Sequence, residues 1–291
     1  MKISILKYFL PYGLYLYLKK PKRKLYPSIP DSFLLKVKEN SKFKGIHSSK
    51  RCFILATGPS IRNQDLKPLH GEWCFAVGEF FLHPDVQVIA PAYHVLAPIH
   101  PPFTMETTNQ RFISFTKYYS KEVTYFLGDN DYQFSHSNFL KGHLEYNHLD
   151  INFLNYFKDY QLDEFNYNNE HTWDICATPF APRTVVYIAI QVAVYMGFNE
   201  IYLLGCDHDY LQDTKRVTDH HFYEDSRGTS DAAHLSQFTL ERWFEEYFLR
   251  WKQYRLMKEF LNPKGVSIYN ATKGGMLDVF PRVVYEELVR F

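Results

Sequence analysis

Residues 180–210, FAPRTVVYIAIQVAVYMGFNEIYLLGCDHDY, constrain the fold more than any other stretch of the chain. Small and apolar side chains fill the segment after Thr184 for several helical turns, and Gly197 supplies the stop. Residues 200–205 then form a short apolar run of strand length and composition. A helix feeding directly into a buried strand is half of a β-α-β unit. The strand closes in Gly205-Cys206-Asp207-His208-Asp209-Tyr210, a burst of polar side chains. In open α/β sheets ligands bind just beyond the carboxyl ends of strands, so the same stretch predicts a site. The expected fold class is α/β, a Rossmann-like, mostly parallel sheet flanked by helices, with a small lid insertion.

Strand-like runs precede this block. Residues 51–56 form the first, followed by Thr57-Gly58-Pro59-Ser60 and a short helical turn over 61–69. A strand, a tight glycine loop and a helix start bring backbone N–H groups up to a phosphate. Gly58 allows close approach, and Ser60 suits a helix cap. The loop is neither GxGxxG nor a Walker loop, so a plain strand-to-helix turn competes with this reading. Residues 73–77 read as a second strand, and 86–96 hold a third that Pro91 interrupts. Further strands are expected at 111–115 and 123–127. From 128 to 173 the pattern degrades into Asn, Asp, His, Tyr and Phe, read as helical connections and a loop-rich insertion bordering the site. A long helix over 232–261 stops at Asn262-Pro263, residues 266–269 close the sheet, and the tail from 281 is helical. Between the two strong elements, residues 211–231 have the polar composition of a lid.

With 291 residues, 46% of them hydrophobic, the chain can build one large α/β domain. It divides into a membrane-proximal and connecting segment, 1–49, and a Rossmann-like domain, 50–291. A net charge of +1 provides no global field to recruit nucleic acid, and none is expected as a partner. Cys52, Cys74, Cys176 and Cys206 lie far apart without CxxC spacing, which speaks against a zinc knot and for buried thiols in a reducing compartment. Residues 1–26 carry an apolar stretch broken by Lys7, Pro11 and Gly13, too interrupted for a spanning helix of about 20 residues. No small-residue cleavage site follows. Its aromatic face, followed by Lys19, Lys20, Lys22, Arg23 and Lys24, suits peripheral contact with an anionic inner-membrane surface from the cytoplasmic side. An ordinary helix packed on the core is the alternative. Association with further copies of the chain is left open.

His220 and His221 are the sharpest candidates for proton chemistry, because imidazole titrates near neutrality. Adjacent residues of an extended segment point to opposite sides, so one of the two is expected to face the site. Asp207-His208-Asp209 has the look of a carboxylate pair for Mg²⁺ or Mn²⁺, set against a role for Asp207 in tying the loop. Tyr210 and Tyr223 offer phenolic donors that can stabilise a leaving phosphate without a metal. Asn270, with the small residues up to Gly275, either borders a nucleotide or forms a simple turn.

Four stretches in order carry a family likeness: FILATGPSI at 53–61, RTVVYIAIQVAVYMGFNEIYLLGCDHDY at 183–210, DHHFYEDS at 219–226 and YNATKGGMLDVFP at 269–281. The set resembles the bacterial sialyltransferases of glycosyltransferase family 42, which build lipooligosaccharide outer cores. It is also similar to a wider group sharing a GPSL-type loop with MptE-like diphosphokinases. The resemblance implies a single Rossmann-like domain with a lid, a CMP-activated nine-carbon sugar as donor, a glycan acceptor, and no required metal or other cofactor. By position it implies that Thr57, Gly58, Pro59 and Ser60 border the cytidine nucleotide and that Thr184 takes the family's serine position. It makes His221 the general base and puts Tyr210 within a residue of the first phosphate-binding tyrosine; the second has no clear counterpart, and Tyr223 is the candidate for it. Thr57 stands where the family usually carries Asn, and Glu79 lies where an Asn contacts the donor. A carboxylate there is expected to repel an anionic sugar, which leaves another CMP-sugar or another nucleotide open. The alternatives are an Mg²⁺-dependent diphosphokinase using Asp207 and Asp209, and a catalytically inactive nucleotide- or glycan-binding module.

Overall fold

The computed structural model describes residues 29–119, 122–157, 173–177, 183–213, 220–224 and 239–289. Within them seven strands form one sheet: β1 (Arg51–Leu55), β2 (Cys74–Val77), β3 (Tyr93–Leu96), β4 (Thr124–Asp129), β5 (Asp150–Asn155), β6 (Glu200–Leu204) and β7 (Ser267–Asn270). The order across the sheet is β5-β4-β3-β2-β1-β6-β7, and every neighbouring pair is parallel. This is the α/β Rossmann-like architecture expected from the sequence. The helices are α1 (Asp31–Lys38), α2 (Val86–Ile89), α3 (Met105–Tyr118), α4 (His136–Lys141), α5 (Val185–Tyr195), α6 (Leu240–Leu261) and α7 (Tyr285–Leu288).

The central strands are apolar on both faces because each face has its own core. In β1, Cys52 and Ile54 enter the core shared with α5 and α6, while Phe53 and Leu55 enter the opposite one with Leu66, Leu69 and Phe80. β6 divides in the same way, Ile201 and Leu203 to one side and Tyr202 and Leu204 to the other. The alternation follows from the two-residue period of a strand. Phe53 and Tyr202 are register partners, and their rings stack with centroids 5.3 Å apart. Helix α5 is apolar around most of its circumference, Gln191 excepted, because it is covered on both sides: residues 186–193 are all buried between the sheet and α6. The Tyr187 and Tyr254 rings meet there at 4.4 Å.

A third core joins Phe33 and Val37 of α1 and Phe112 and Phe115 of α3 to Leu127 and Phe153. The segment before β1 is tied to the sheet by polar contacts as well. Asn40 donates to the carbonyls of Phe153 and Ile175 at 2.9 and 3.0 Å, and His47 bonds the Tyr93 hydroxyl at 2.6 Å. Cys52, Cys74 and Cys206 are buried, Cys176 is partly buried, and all four are free thiols.

The structure corrects three local expectations, at 111–115, within 128–173 and in the tail, and refines a fourth at 86–96. Residues 111–115 are helical, inside α3. Their five-residue pattern suits a strand, but Thr104 and Thr107 form a reciprocal capping box that starts a helix. The 86–96 region is α2 followed by β3, separated by Ala90 in the left-handed region at φ 48° and by Pro91. Within 128–173, β5 pairs with β4 as the sheet's edge; its Asp and Asn residues weaken any strand signal. The tail is helical only over Tyr285–Leu288. No helix of the described residues is long and apolar enough to cross a membrane. Residues 1–26, on which peripheral membrane contact was expected, lie outside the described residues.

Candidate active site at the strand-order reversal

From β1 the sheet grows through β2 to β5 in one direction, and β6 and β7 lie on the other side. The loops after β1 and β6 therefore part company at a topological switch point, where α/β folds form a crevice. Here the two loops stay bonded at their base. Ala56 N donates to Leu204 O and Gly58 N to Gly205 O, each at 2.9 Å. Ser60 donates to the Asp207 carboxylate twice, from its backbone N at 3.2 Å and its hydroxyl at 2.9 Å. Gly58 has ordinary dihedrals, φ −63° and ψ 154°, so its flexibility is not the reason for glycine. Space is: a Cβ there would lie 1.9 Å from Asp207 Oδ2 and 2.5 Å from Gly205 O.

Beyond this seam opens a cleft of about 510 Å³. Thr57 and Gly58 form its base together with Cys206 and Asp207, and Thr184 at the N-terminus of α5 faces it from the side. Thr184 caps α5 by accepting from Val186 N at 3.4 Å. The N-terminal end of an eleven-residue helix thus adds a partial positive charge to the cleft wall.

Residues 220–224 cross the cleft. Phe222 N donates to Thr57 O at 2.9 Å, and the buried Phe222 ring packs against Phe80 and His83 at 6.1 and 5.3 Å. That anchor sets the two flanking side chains. His221 lines the cleft with Nδ1 2.9 Å from Thr57 Oγ1, and Tyr223 stacks on it at 5.0 Å with ring planes 9° apart. His220 lines the cleft too, between Asp209 at 3.4 Å and Asp213 at 3.7 Å, with the Tyr210 ring 4.8 Å away. The expectation that only one of the two histidines faces the site is therefore wrong, because the segment is bent rather than extended.

The acidic triplet after β6 divides its work. Both Asp207 oxygens are engaged by Ser60, so this carboxylate ties the loop rather than standing open for a cation. Burial pushes its pKa up, against the pull of the Ser60 bonds. Among the described residues no cluster of three or more His, Cys, Asp or Glu has metal-binding spacing. His208 takes a left-handed conformation, φ 47°, which turns its side chain toward α6. Its Nε2 lies 2.9 Å from the Tyr254 hydroxyl, and burial, with the Arg250 charge adding, lowers its pKa to about 3. His208 is thus a neutral imidazole at physiological pH.

Glu79 also lines the cleft, but it does not present a bare carboxylate. Arg111 from α3 reaches it with two nitrogens, Nε at 2.8 Å and Nη2 at 2.6 Å, in a buried pair. The repulsion expected of Glu79 toward an anionic sugar is cancelled by that cation.

Of the sequence-selected residues, Thr57, Gly58, Thr184, Tyr210, His221 and Tyr223 converge on the cleft. Pro59, Ser60 and Asn270 do not line it. Ser60 is spent on Asp207, and the fully buried Asn270 donates to Leu277 O at 2.8 Å while accepting from Thr272 N at 3.0 Å. Asn270 organises the loop after β7. Sequence reasoning missed the wall supplied by α6, where Arg242, Trp243, Glu246, Tyr247 and Arg250 face the cleft. Their spacing of three, four and eight residues puts them on one helical face, and that polar-aromatic stripe is readable in the sequence. Arg111 was missed because its segment was read as a strand.

No protein-family profile matches the chain, and no curated protein does. Solved structures do. The sialyltransferase CstII from Campylobacter jejuni in complex with cytidine-5'-monophosphate is similar at 17% identity and a TM-score of 0.45, over 81% of this chain and 85% of that one. The same enzyme with CMP-3FNeuAc gives 18% identity and 0.47, over 83% and 89%. The sialyltransferase CST-II with a trisaccharide acceptor and CMP gives 15% and 0.43, over 80% and 86%. At these identities and scores the likeness carries no functional argument.

Proposed function

We propose that this chain is a glycosyltransferase that moves a sugar, of the sialic-acid-like nonulosonate class, from a CMP-activated donor to a hydroxyl of a cell-surface glycan such as lipooligosaccharide or capsule. One observation carries the reading: Thr57 holds His221 at the rim of a cleft that opens at the strand-order reversal, beside the N-terminus of α5. The four sequence stretches that resemble the family 42 enzymes supply three of those elements.

In this reading the nucleotide lies over the Thr57–Gly58 turn and the start of α5, with Thr184 beside it. The acceptor oxygen attacks the anomeric carbon, and the bond from that carbon to the phosphate oxygen breaks. CMP leaves with the bonding electrons. The acceptor proton goes to His221. When Nδ1–H of His221 donates to Thr57 Oγ1, the tautomer is set and Nε2 keeps its lone pair for that proton. Tyr210 and Tyr223 line the same cleft, and in this reading they donate to the departing phosphate. Arg111 offsets the Glu79 charge, so a carboxylated sugar is compatible with the cleft.

In the same reading the flap expected over about 211–231, of which 214–219 and 225–231 lie outside the described residues, shields the donor, and residues 1–49 bring the domain 50–291 to the cytoplasmic face of the inner membrane, where lipid-linked acceptors lie. Self-association belongs to the same proposal. The test is His221→Ala. Transfer from a CMP-sugar should fall by about 10²–10⁴-fold, while CMP binding, followed by thermal shift, stays near wild type. Full activity in that variant refutes the assignment. Stabilisation of the wild-type protein by UDP, GDP or ATP but not by CMP refutes the donor class.

A further inference from the structure

The arginines of the cleft are unequal. Arg111 is paired with Glu79, Arg183 with Glu246 at 2.8 Å, and Arg242 with Glu245 at 2.9 Å and Glu246 at 2.5 Å. Arg250 has no carboxylate within ion-pair distance among the described residues. Its Nε is buried and has no hydrogen-bond partner among those residues. Its guanidinium lies over the rings of Tyr210 and Tyr247, 5.7 and 5.6 Å from their centroids. Ring faces attract the cation but leave its N–H donors unsatisfied.

The surroundings fix this group in place. Tyr187 donates to the Arg250 carbonyl at 2.6 Å, pinning that turn of α6 to α5. Tyr247 donates to His208 O at 3.2 Å and accepts from Leu211 N at 3.2 Å, so the ring under the guanidinium cannot swing away. The nearby His208 imidazole is neutral and does not compete for an anion. A fixed, half-buried fork of N–H donors without a counter-charge is complementary to a dianion with several acceptor oxygens.

We propose that Arg250 is the anion receptor of the cleft and takes the phosphate of the bound nucleotide, next to the Tyr210 hydroxyl. The inference rests on the nucleotide reading above and adds a full positive charge to the group that receives the leaving phosphate. Two tyrosines stabilise developing charge only through neutral donors; Arg250 balances it outright. The alternative is a purely structural clamp, in which the guanidinium serves only to hold Tyr210 against Tyr247.

Calorimetric titration of wild type, Arg250→Met and Arg250→Lys with CMP, cytidine, UMP, AMP and inorganic pyrophosphate decides between them, with melting temperatures of the ligand-free proteins. Charge-assisted hydrogen bonds of this kind correspond to a weakening of CMP binding by about 10- to 100-fold in Arg250→Met, with cytidine unchanged. Arg250→Lys keeps the charge but not the fork and falls between. Ligand-free Arg250→Met melts at or above wild type, because a half-buried charge without a carboxylate partner among the described residues has been removed. A structural clamp predicts a lower melting temperature and equal losses for CMP and cytidine, and that result overturns the proposal. So does unchanged CMP affinity in Arg250→Met, or a wild type that binds no monophosphate more tightly than its nucleoside. If wild type binds CMP, UMP and AMP alike and Arg250→Met weakens all three, the cytidine reading fails and the Arg250 assignment stands.

Discussion

Replacing Gly58 by Ala tests the seam on which the cleft is built. The backbone at this position is one that alanine adopts freely, so no conformational penalty enters. The whole cost is spatial. The new methyl group would sit 1.9 Å from Asp207 Oδ2, 2.7 Å from Asp207 Cγ and 2.5 Å from Gly205 O. The carboxylate must leave, taking with it both bonds to Ser60, and the β1 and β6 loops must part at the Gly58 N to Gly205 O bond. Overpacking of this kind costs about 1–3 kcal/mol. Losing hydrogen bonds to a charged group costs about 1.5–3 kcal/mol more. The sum, about 2.5–6 kcal/mol, lowers the melting temperature by roughly 10 °C for a chain of this size. Urea unfolding at pH 7 measures it directly. Gly71→Ala is the control: it meets nothing within 4 Å, and its φ of 85° adds only backbone strain. In an Asp207→Ala background the two contacts at 1.9 and 2.7 Å vanish, while that to the Gly205 carbonyl at 2.5 Å remains. Gly58→Ala should then cost at least about 1 kcal/mol less than in wild type, a coupling typical of touching residues. A single variant within 0.5 kcal/mol of wild type (roughly the scatter of neutral surface changes), or identical costs in the two backgrounds, refutes the reasoning.

Two further outcomes follow from the buried charges and imidazoles. Glu79→Ala strands Arg111 beside the cleft and should cost about 3–5 kcal/mol, whereas joint replacement of Glu79 and Arg111 by methionine should cost much less than the sum of the single changes; an additive double variant argues against a buried pair. For pH, burial lowers His94, His136 and His208 to about 3, so between there and 6.5 the unfolded chain binds more protons than the folded one and stability falls as pH drops. Burial raises Asp129 to about 6, so in the upper part of the same window it acts with the opposite sign and the folded chain gains stability on acidification. Burial lowers His47 and His83 and raises Asp207 as well, so five imidazoles act against two carboxylates; the net is a loss of stability on acidification toward pH 5, and Asp129→Asn should make it steeper. A urea midpoint unchanged between pH 7 and pH 5 contradicts this assignment.

The parts of the fold that sequence alone determines are those where one local rule dominates. β1, β2, β4 and β6 are legible because their inner residues are apolar and buried on both faces, β7 because its short run follows the Asn262-Pro263 stop, and α5 because its apolar run is too long for a strand. The loops after β1 and β6 were readable as site-forming, since a polar burst at the end of such a strand has a known destination. Elsewhere the local signal was ambiguous and distant contacts decided. Residues 111–115 suit either strand or helix, and only the cap at Thr104 and the packing of Phe112 and Phe115 against Leu127 settle the matter. The edge strand β5 owes its existence to pairing with β4 and not to its composition.

The candidate site shows the same division. Thr57, Gly58, Tyr210, His221 and Tyr223 could be picked out from sequence because they lie in the loops after β1 and β6 and in the lid-like segment, whereas Thr184 and the preference for His221 over His220 came from the resemblance to the family 42 enzymes. What they could not reveal is which charge meets which. Asp207 and Ser60 are 147 positions apart, His221 and Thr57 164, and Glu79 and Arg111 32. Only folding brings these partners within bonding distance, and it is that pairing which spends Asp207, neutralises Glu79 and leaves Arg250 as a cleft arginine without a counter-charge among the described residues. Sequence sets what each side chain can do; the energy of burying it depends on its neighbours, and those are chosen by the tertiary structure.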